Sequence, residues 1–323
     1  MKKTVAVAFP TSVEARRQIS VSLAGIARVV HLQDPGFAEE LPTAEILLLR
    51  GWRHELPEGA IREMRRLEFV QCLLAGVDHL PWSDIRPEAV ICSNAGAQAE
   101  AVAEHAVAFL LAAAKRLTEH DAAIRDGFFR QEEKSKMIRG STLGLLGYGH
   151  IGREIAKRAR GLGMLTLGLN RRALGDEFLD EIIDPADLSR IAAESDFLVC
   201  LLPLTKATNG LIDAAFLGRM KEDAVLVNVS RGKVIDEAAL HAHLRNHPRF
   251  TAALDVWWQY PKAEGERPYT QPFHELPNVL MTPHVASNVP TNSEHVLTLA
   301  LENVSRYLRD EPLRNVVIPE DYR

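Results

Sequence analysis

The stretch STLGLLGYGHIGREIAKRARGLGMLTLGLNRR, residues 141–172, decides the fold. An apolar run, Thr142–Leu146, leads straight into Gly147-x-Gly149-x-x-Gly152. A helical pattern follows, and then a second apolar run, Leu165–Leu169. Strand, glycine triplet, helix and strand in that order bring backbone amides and a helix N-terminus to a phosphate. The three glycines serve different ends. Gly147 permits the tight turn, Gly149 lets backbone approach a pyrophosphate, and Gly152 lets helix and strand pack closely. Tyr148, His150 and Ile151 fill the remaining places of the turn. The second run ends at Asn170, Arg171 and Arg172, where an NAD site usually presents a carboxylate to the ribose hydroxyls. A guanidinium there forks onto a 2′-phosphate and stacks on adenine, so the reading is NADP(H) preferred, with NAD(H) possible.

Working outward, apolar runs at 197–201, 224–228, 251–254 and 279–281 alternate with helical patterns, giving six strands of a doubly wound, nucleotide-binding sheet. Before the triplet, runs at 4–9, 28–32, 45–50, 69–74 and 89–92 read as a smaller parallel α/β unit. An alanine-rich helix over 100–117 and a second over 118–129 stand between the two series. The last helical pattern, 292–309, is expected to cross back onto the N-terminal unit. A chain of 323 residues exceeds the usual size of one hydrophobic core, which also favours two domains that could enclose a cleft.

Bulk properties exclude several partners. With 38 Lys+Arg against 43 Asp+Glu the formal charge is −5, and no basic stripe is visible, so neither nucleic acid nor an anionic membrane is expected. The longest apolar run, residues 106–114, is too short to span a bilayer. The opening MKKTVAVAFPTSVEARRQ regains charge at Glu14 and reads as a first strand instead of a signal peptide. Cys72, Cys92 and Cys200 are odd in number and far apart, which suits neither a disulfide framework nor a metal cluster. No metal and a cytoplasmic setting are the expectations.

Further motifs occur in order: CLLPLTKATNGLI (200–212), LVNVSRGKVID (226–236), LDV (254–256), TPH (282–284), LLAGVDHL (73–80) and NAGAQAEAVAEHAV (94–107). Through these and the glycine triplet the chain resembles the D-isomer-specific 2-hydroxyacid dehydrogenases. That resemblance implies an α/β architecture of two doubly wound parallel-sheet domains: a Rossmann cofactor domain, residues 99–288, inserted into a flavodoxin-like substrate domain, residues 1–98 with 289–323. It also implies a homodimer built on the cofactor domain, and hydride transfer between NADP(H) and a small 2-oxo or 2-hydroxy acid of the glyoxylate or hydroxypyruvate kind.

By the same resemblance Arg231 would bind the substrate carboxylate and polarise the carbonyl, and His284 would exchange a proton with the alcohol oxygen. The chemistry suits these residues: a planar guanidinium matches a carboxylate beside a carbonyl, and imidazole holds or gives a proton near neutral pH. The other eleven histidines lack such a setting. Gly76 and Val77 would offer amides to the carboxylate, with Arg50 or Trp52 lining the pocket. Asp255 would contact the nicotinamide carboxamide or Arg231. Pro203 would border the adenine, while Leu202, Thr208, Val229, Ser230 and the interdomain Val102 would complete the cofactor contacts. Pocket width would depend on Trp52, His54, Trp257 and Trp258.

One position departs from the family pattern. Members carry a Glu five residues after that Asp and before a Pro, where it holds the histidine; here the residue is Tyr260, in LDVWWQYPK. A carboxylate beside imidazole favours imidazolium by roughly one to three pKa units, so its loss leaves His284 more often neutral unless Glu264 or Glu266 folds back or Tyr260 bonds the ring. The same loop resembles the related formate dehydrogenases, where no proton need be exchanged, which keeps formate or phosphite oxidation open. A dinucleotide-sensing binding protein with vestigial catalysis, like the corepressors that share this fold, is the alternative from another class.

Overall fold

The computed structural model describes residues 2–51, 55–170, 176–290 and 292–323. The chain divides into two compact units, one formed by 1–98 with 289–323 and the other by 99–288.

In the first unit, β1 (Lys3–Val7), β2 (Ala27–His31), β3 (Ile46–Leu49), β4 (Phe69–Cys72) and β5 (Val90–Cys92) form an all-parallel sheet of order β2-β1-β3-β4-β5. Alternation along each strand sends side chains to opposite faces, and both faces are buried. Ile46 and Leu48 of β3 join a core with Ile19 and Leu23, which come from and just follow α1 (Val13–Ser22). The same core takes Leu297, Leu301 and Val304 of α10 (Asn292–Leu308). Leu47 and Leu49 join a second core with Phe37, Leu41, Ile61 and Met64. Thus the C-terminal helix covers the sheet that the first residues begin.

In the second unit, β6 (Thr142–Leu146), β7 (Leu165–Leu169), β8 (Glu181–Ile183), β9 (Phe197–Cys200), β10 (Val225–Asn228), β11 (Thr251–Leu254) and β12 (Val279–Met281) are again all parallel. Their order is β12-β11-β10-β9-β6-β7-β8. The sheet therefore has seven strands, not the six expected from sequence. The seventh, β8, is a three-residue edge strand whose burial rises from exposed Glu181 to buried Ile183, and with Asp180 and Asp184 on either side only two apolar residues mark it. One face packs on α4 (Ala99–Ala114), whose Ala103, Ala106 and Ala113 allow a close approach, and on Ile155, Ala156 and Ala159 of α6 (His150–Gly161). The other face buries Leu146, Leu198, Leu226 and Leu254 against Ile191, Phe216, Leu240 and Leu244.

Parallel strands place all their carboxyl ends at one edge. Residues following β6, β9, β10, β11 and β12 therefore line up across five neighbouring strands, roughly 20 Å at the usual strand spacing. The crossover between β6 and β9, where the winding reverses, is where doubly wound sheets open a crevice.

Candidate active site

The glycine turn sits at the end of β6. Gly147 has φ +105°, a conformation L side chains rarely adopt, and a Cβ on it would stand 3.2 Å from the Leu201 carbonyl carbon. A Cβ on Gly152 would meet the Gly147 oxygen at 2.9 Å, so α6 can lie this close to the turn only without one. Gly149 differs, because a Cβ there would touch nothing within 4 Å. It is also the N-cap of α6 and supplies no side-chain bond to the first amides of the helix, which include those of His150 and Ile151. Open space over uncapped amides fits the pyrophosphate of a dinucleotide.

Tyr148 is buried beneath this turn. Its hydroxyl donates to Asp176 Oδ1 at 2.6 Å, and Arg153 Nε donates to Asp176 Oδ2 at 2.6 Å. Burial and the anionic neighbour push the Tyr148 phenol up. Burial also pushes the Asp176 carboxyl up, but bonds from Tyr148, the Phe178 amide and Arg153 bring it below its ordinary range. Asn170 donates from Nδ2 to the Tyr148 carbonyl at 3.0 Å, tying the end of β7 to the turn. Arg171 and Arg172, on which the cofactor preference rests, lie outside the described residues. Beyond β9, Thr208 Oγ1 donates to the Pro203 carbonyl at 2.6 Å and accepts from the Thr205 amide at 2.9 Å, closing the turn after half-buried Leu202. Val102 and Val229 are buried in the core between α4 and the sheet.

Arg231 follows β10 in an extended conformation fixed from both sides. Upstream, fully buried Asn228 accepts from the Ser230 amide at 3.1 Å and hydroxyl at 3.0 Å, and donates to the Arg231 carbonyl at 2.9 Å. Downstream, a Cβ on Gly232 would lie 2.2 Å from the Trp257 carbonyl carbon, so the loop is pressed onto the backbone of Trp257 and Trp258. Those tryptophans are anchored by indole bonds: Trp257 Nε1 donates to the Thr282 carbonyl at 3.0 Å and Trp258 Nε1 to the Ile235 carbonyl at 2.7 Å. Two of the side chains expected to set pocket width thus also hold the arginine loop.

His284 lies three residues beyond β12, exposed, with φ +58°. A left-handed backbone at a non-glycine residue costs on the order of 1–3 kcal/mol and persists only where its surroundings impose it. Asp255 imposes it: fully buried after β11, its carboxylate accepts from the Val285 amide at 2.9 Å, the Ala286 amide at 3.0 Å and the Thr282 hydroxyl at 2.5 Å. The aspartate therefore grips the chain on both sides of the histidine. His105 of α4 adds to this group, with Nε2 3.1 Å from Thr282 Oγ1 and 3.7 Å from Asp255 Oδ1. This corrects the sequence reading that the other histidines have no such setting. The signal lay within AEHAV, but only the fold brings a helix residue to a loop some 177 positions later.

The partner of the imidazole is Tyr260. Its Oη stands 2.6 Å from His284 Nδ1, the rings 5.5 Å apart and tilted by 41°. Of the two carboxylates that could have folded back, Glu266 accepts from the Lys262 amide within its own loop at 2.8 Å, and Glu264 is exposed.

In the first unit, Val77 is buried and its carbonyl accepts from the Leu80 amide and from Trp82 Nε1 at 3.2 Å, while Gly76 is half-buried. Asn94 holds the start of this loop, its amide donating to Leu74 and its side chain to Leu73 and Val296. Arg50 stands 5.8 Å over the Phe9 ring, and its amide, with that of Gly51, donates to Glu55, whose carboxyl burial pushes up. Trp52 and His54 lie outside the described residues.

The family model of the NAD-binding domain of D-isomer-specific 2-hydroxyacid dehydrogenases matches residues 107–286. The chain belongs to that family. A glyoxylate reductase of Korarchaeum cryptofilum is 33% identical to this 2-hydroxyacid dehydrogenase family member over 264 residues, 79% of this chain and 77% of its own length. A candidate formate dehydrogenase of Pyrobaculum aerophilum superposes over the whole of both chains with TM-score 0.83 and 30% identity. A D-isomer-specific 2-hydroxyacid dehydrogenase from Xanthobacter autotrophicus, solved with NADPH and MES, gives 0.82 and 25% over both full chains. The chain spans about half the length, 52%, of other curated relatives it matches, among them a D-3-phosphoglycerate dehydrogenase of Archaeoglobus fulgidus, which is 30% identical over 86% of this chain. Among the described residues no helix is long and apolar enough to cross a membrane.

Proposed function

We propose that this dehydrogenase family member is an oxidoreductase that interconverts small 2-oxo and 2-hydroxy acids, with glyoxylate and hydroxypyruvate as first substrates and NADP(H) preferred over NAD(H). The observation that carries the reading is the pair of braced residues Arg231 and His284, held at the carboxyl edge of one sheet by Asn228 and Asp255. A bound nicotinamide dinucleotide would supply the hydride. Arg231 would take the substrate carboxylate in a forked pair and steady charge as it develops on the carbonyl oxygen. His284 would hand that oxygen its proton, and would take it back in the oxidative direction. Gly76, Val77 and Arg50 remain part of the proposal through the family resemblance alone.

The cofactor preference is supported by Asn170-Arg171-Arg172, which offers no carboxylate to repel a 2′-phosphate, and by the NADPH held in the Xanthobacter structure. A homodimer is supported by α5 (Leu117–Arg125), which buries none of its residues, and by the exposed Leu117, Ile124, Phe128 and Phe129. The cytoplasmic setting rests on three cysteines that are free and buried.

Titration with NADPH and NADH separately, followed by glyoxylate or hydroxypyruvate while cofactor absorbance is recorded, tests the function. Tight NADPH binding and oxidation by either acid is the expected result; tight binding with no turnover on a wide panel of 2-oxo acids would move the assignment to a dinucleotide sensor. A second reading, formate-type oxidation, draws on Tyr260 standing where the family carries an acid and on the Pyrobaculum structure. Reduction of NADP+ or NAD+ by formate, with inert 2-oxo acids, would select it.

A further inference from the structure

We propose that Tyr260 positions and replenishes the proton of His284, so that this protein protonates its product through a neutral phenol–imidazole pair in place of a carboxylate–imidazolium pair. The inference rests on the 2-oxo acid reading above. Its geometric basis is the 2.6 Å contact between Tyr260 Oη and His284 Nδ1, set by two loops that are each anchored by other bonds. On one side, Trp258 is fixed to Ile235, and Gln259 is fixed through its amide to Pro268 at 3.2 Å and through its side chain to Arg267 at 3.0 Å. On the other, Asp255 holds the residues around His284. Trp257 Nε1 already ties the two loops together at the Thr282 carbonyl, so the phenol–imidazole bond is not what joins them and the hydroxyl has a chemical use beyond packing.

The chemistry follows from the donors and acceptors available. A neutral imidazole carries one N–H and one bare nitrogen, and a phenol hydroxyl can donate to the bare one. With Tyr260 donating to Nδ1, the imidazole proton is confined to Nε2, the nitrogen that would hand it to a substrate oxygen. When hydride forms the new C–H bond at the carbonyl carbon with its own electron pair, the C=O π pair moves to the oxygen and takes the Nε2 proton as an O–H bond. Nδ1 takes the phenol proton in the same step. The imidazole ends neutral with its proton on the other nitrogen, and the negative charge rests on the Tyr260 oxygen. Tyr260 is 53% exposed, so water returns the missing proton and the pair resets. One hydride and one proton reach the substrate, and no carboxylate takes part. The described carboxylates nearby are otherwise committed, Asp255 to the backbone and Glu266 to its own loop.

The test compares the protein with its Tyr260→Phe variant, which keeps the ring and removes the hydroxyl. In the cofactor-free protein, long-range 1H–15N spectra of the imidazoles, with His284 assigned by its loss in His284→Gln, are expected to show Nε2 protonated and Nδ1 hydrogen-bonded. The Phe variant is expected to lose that Nδ1 shift. With NADPH and glyoxylate, Tyr260→Phe is expected to lower kcat roughly 10- to 100-fold with KM little changed. The dependence of kcat on D2O fraction should pass from a bowed, two-proton curve to a straight line. A tyrosine that only packs would lower kcat without straightening the curve, and an Nδ1 resonance unchanged between the two proteins would overturn the proposal. If the unaltered protein turns over no 2-oxo acid, the proposed function fails, while the imidazole spectra still decide the pair.

Discussion

The glycine turn after β6 and the histidine loop after β12 occupy the same edge of one sheet and are built by opposite means. The turn works with backbone: Gly147, Gly149 and Gly152 are close in sequence, and each acts by the side chain it lacks. The loop works with side chains drawn from distant places: Asp255 after β11, Thr282 and His284 after β12, His105 from α4, and Tyr260 from the Trp257–Trp258 segment. A backbone site can be written in six consecutive residues, whereas a side-chain site exists only after the sheet has formed.

Substitutions break this comparison in a graded way. His284→Ala or Arg231→Ala should lower turnover of glyoxylate by about 10²–10⁴-fold while NADPH affinity, read by fluorescence titration, changes little. A histidine variant with full reductase activity would remove His284 from the chemistry.

Asp255→Asn should act on the loop alone. The new amide can accept from one of the Val285 and Ala286 amides but must oppose the other, leaving a buried donor unsatisfied at a cost of about 1–3 kcal/mol. A melting temperature lower by about 2–4 °C per kcal/mol, with a fall in kcat, is expected. Unchanged melting and kcat together would mean that something else holds the left-handed His284.

The glycines of the turn should separate binding from stability. Gly149→Ala places its methyl in open space, so the melting temperature should hold while NADPH affinity falls. Gly152→Ala drives a methyl into the Gly147 carbonyl and should cost about 1–3 kcal/mol of stability. Equal effects of the two on affinity and melting would contradict the separate roles read from their surroundings.

The smallest effect is expected from pH, far from this edge. Burial, and then the neighbouring His247, lower the His243 imidazole to about 4, below its usual value of about 6.5 in an unfolded chain. Between those values the unfolded chain binds a proton that the folded one does not, so stability falls as pH drops from about 6.5 to about 4 and levels off below. His243 stacks on His247 and meets Phe250 edge-on, so His243→Leu should flatten that limb in acid melts. An unaltered limb would place the acid sensitivity in other groups.

Much of this fold is legible along the chain. Apolar runs at 142–146, 165–169, 251–254 and 279–281 coincide with β6, β7, β11 and β12; the first three are inner strands buried on both faces, which need continuous apolar sequence, while β12 is an edge strand with Met281 exposed. The edge strand β8 escaped because it opens on exposed Glu181 between Asp180 and Asp184, leaving only Ile182 and Ile183 as an apolar signal. Within the site, the motifs placed Arg231 and His284 after strands by local pattern. They gave no account of why Gly232 must be glycine, since the carbonyl it would strike belongs to Trp257.

By itself, the sequence determined the dinucleotide turn and the parallel α/β architecture, since both depend on residues within one strand–turn–helix span or on the periodicity of each strand. Only the tertiary structure decided who stands beside His284. Tyr260, Glu264 and Glu266 lie in one loop, with Tyr260 the farthest along the chain from His284, and the choice was made by the anchoring of Trp258 and Gln259, which holds the phenol toward the ring while Glu266 turns back on Lys262.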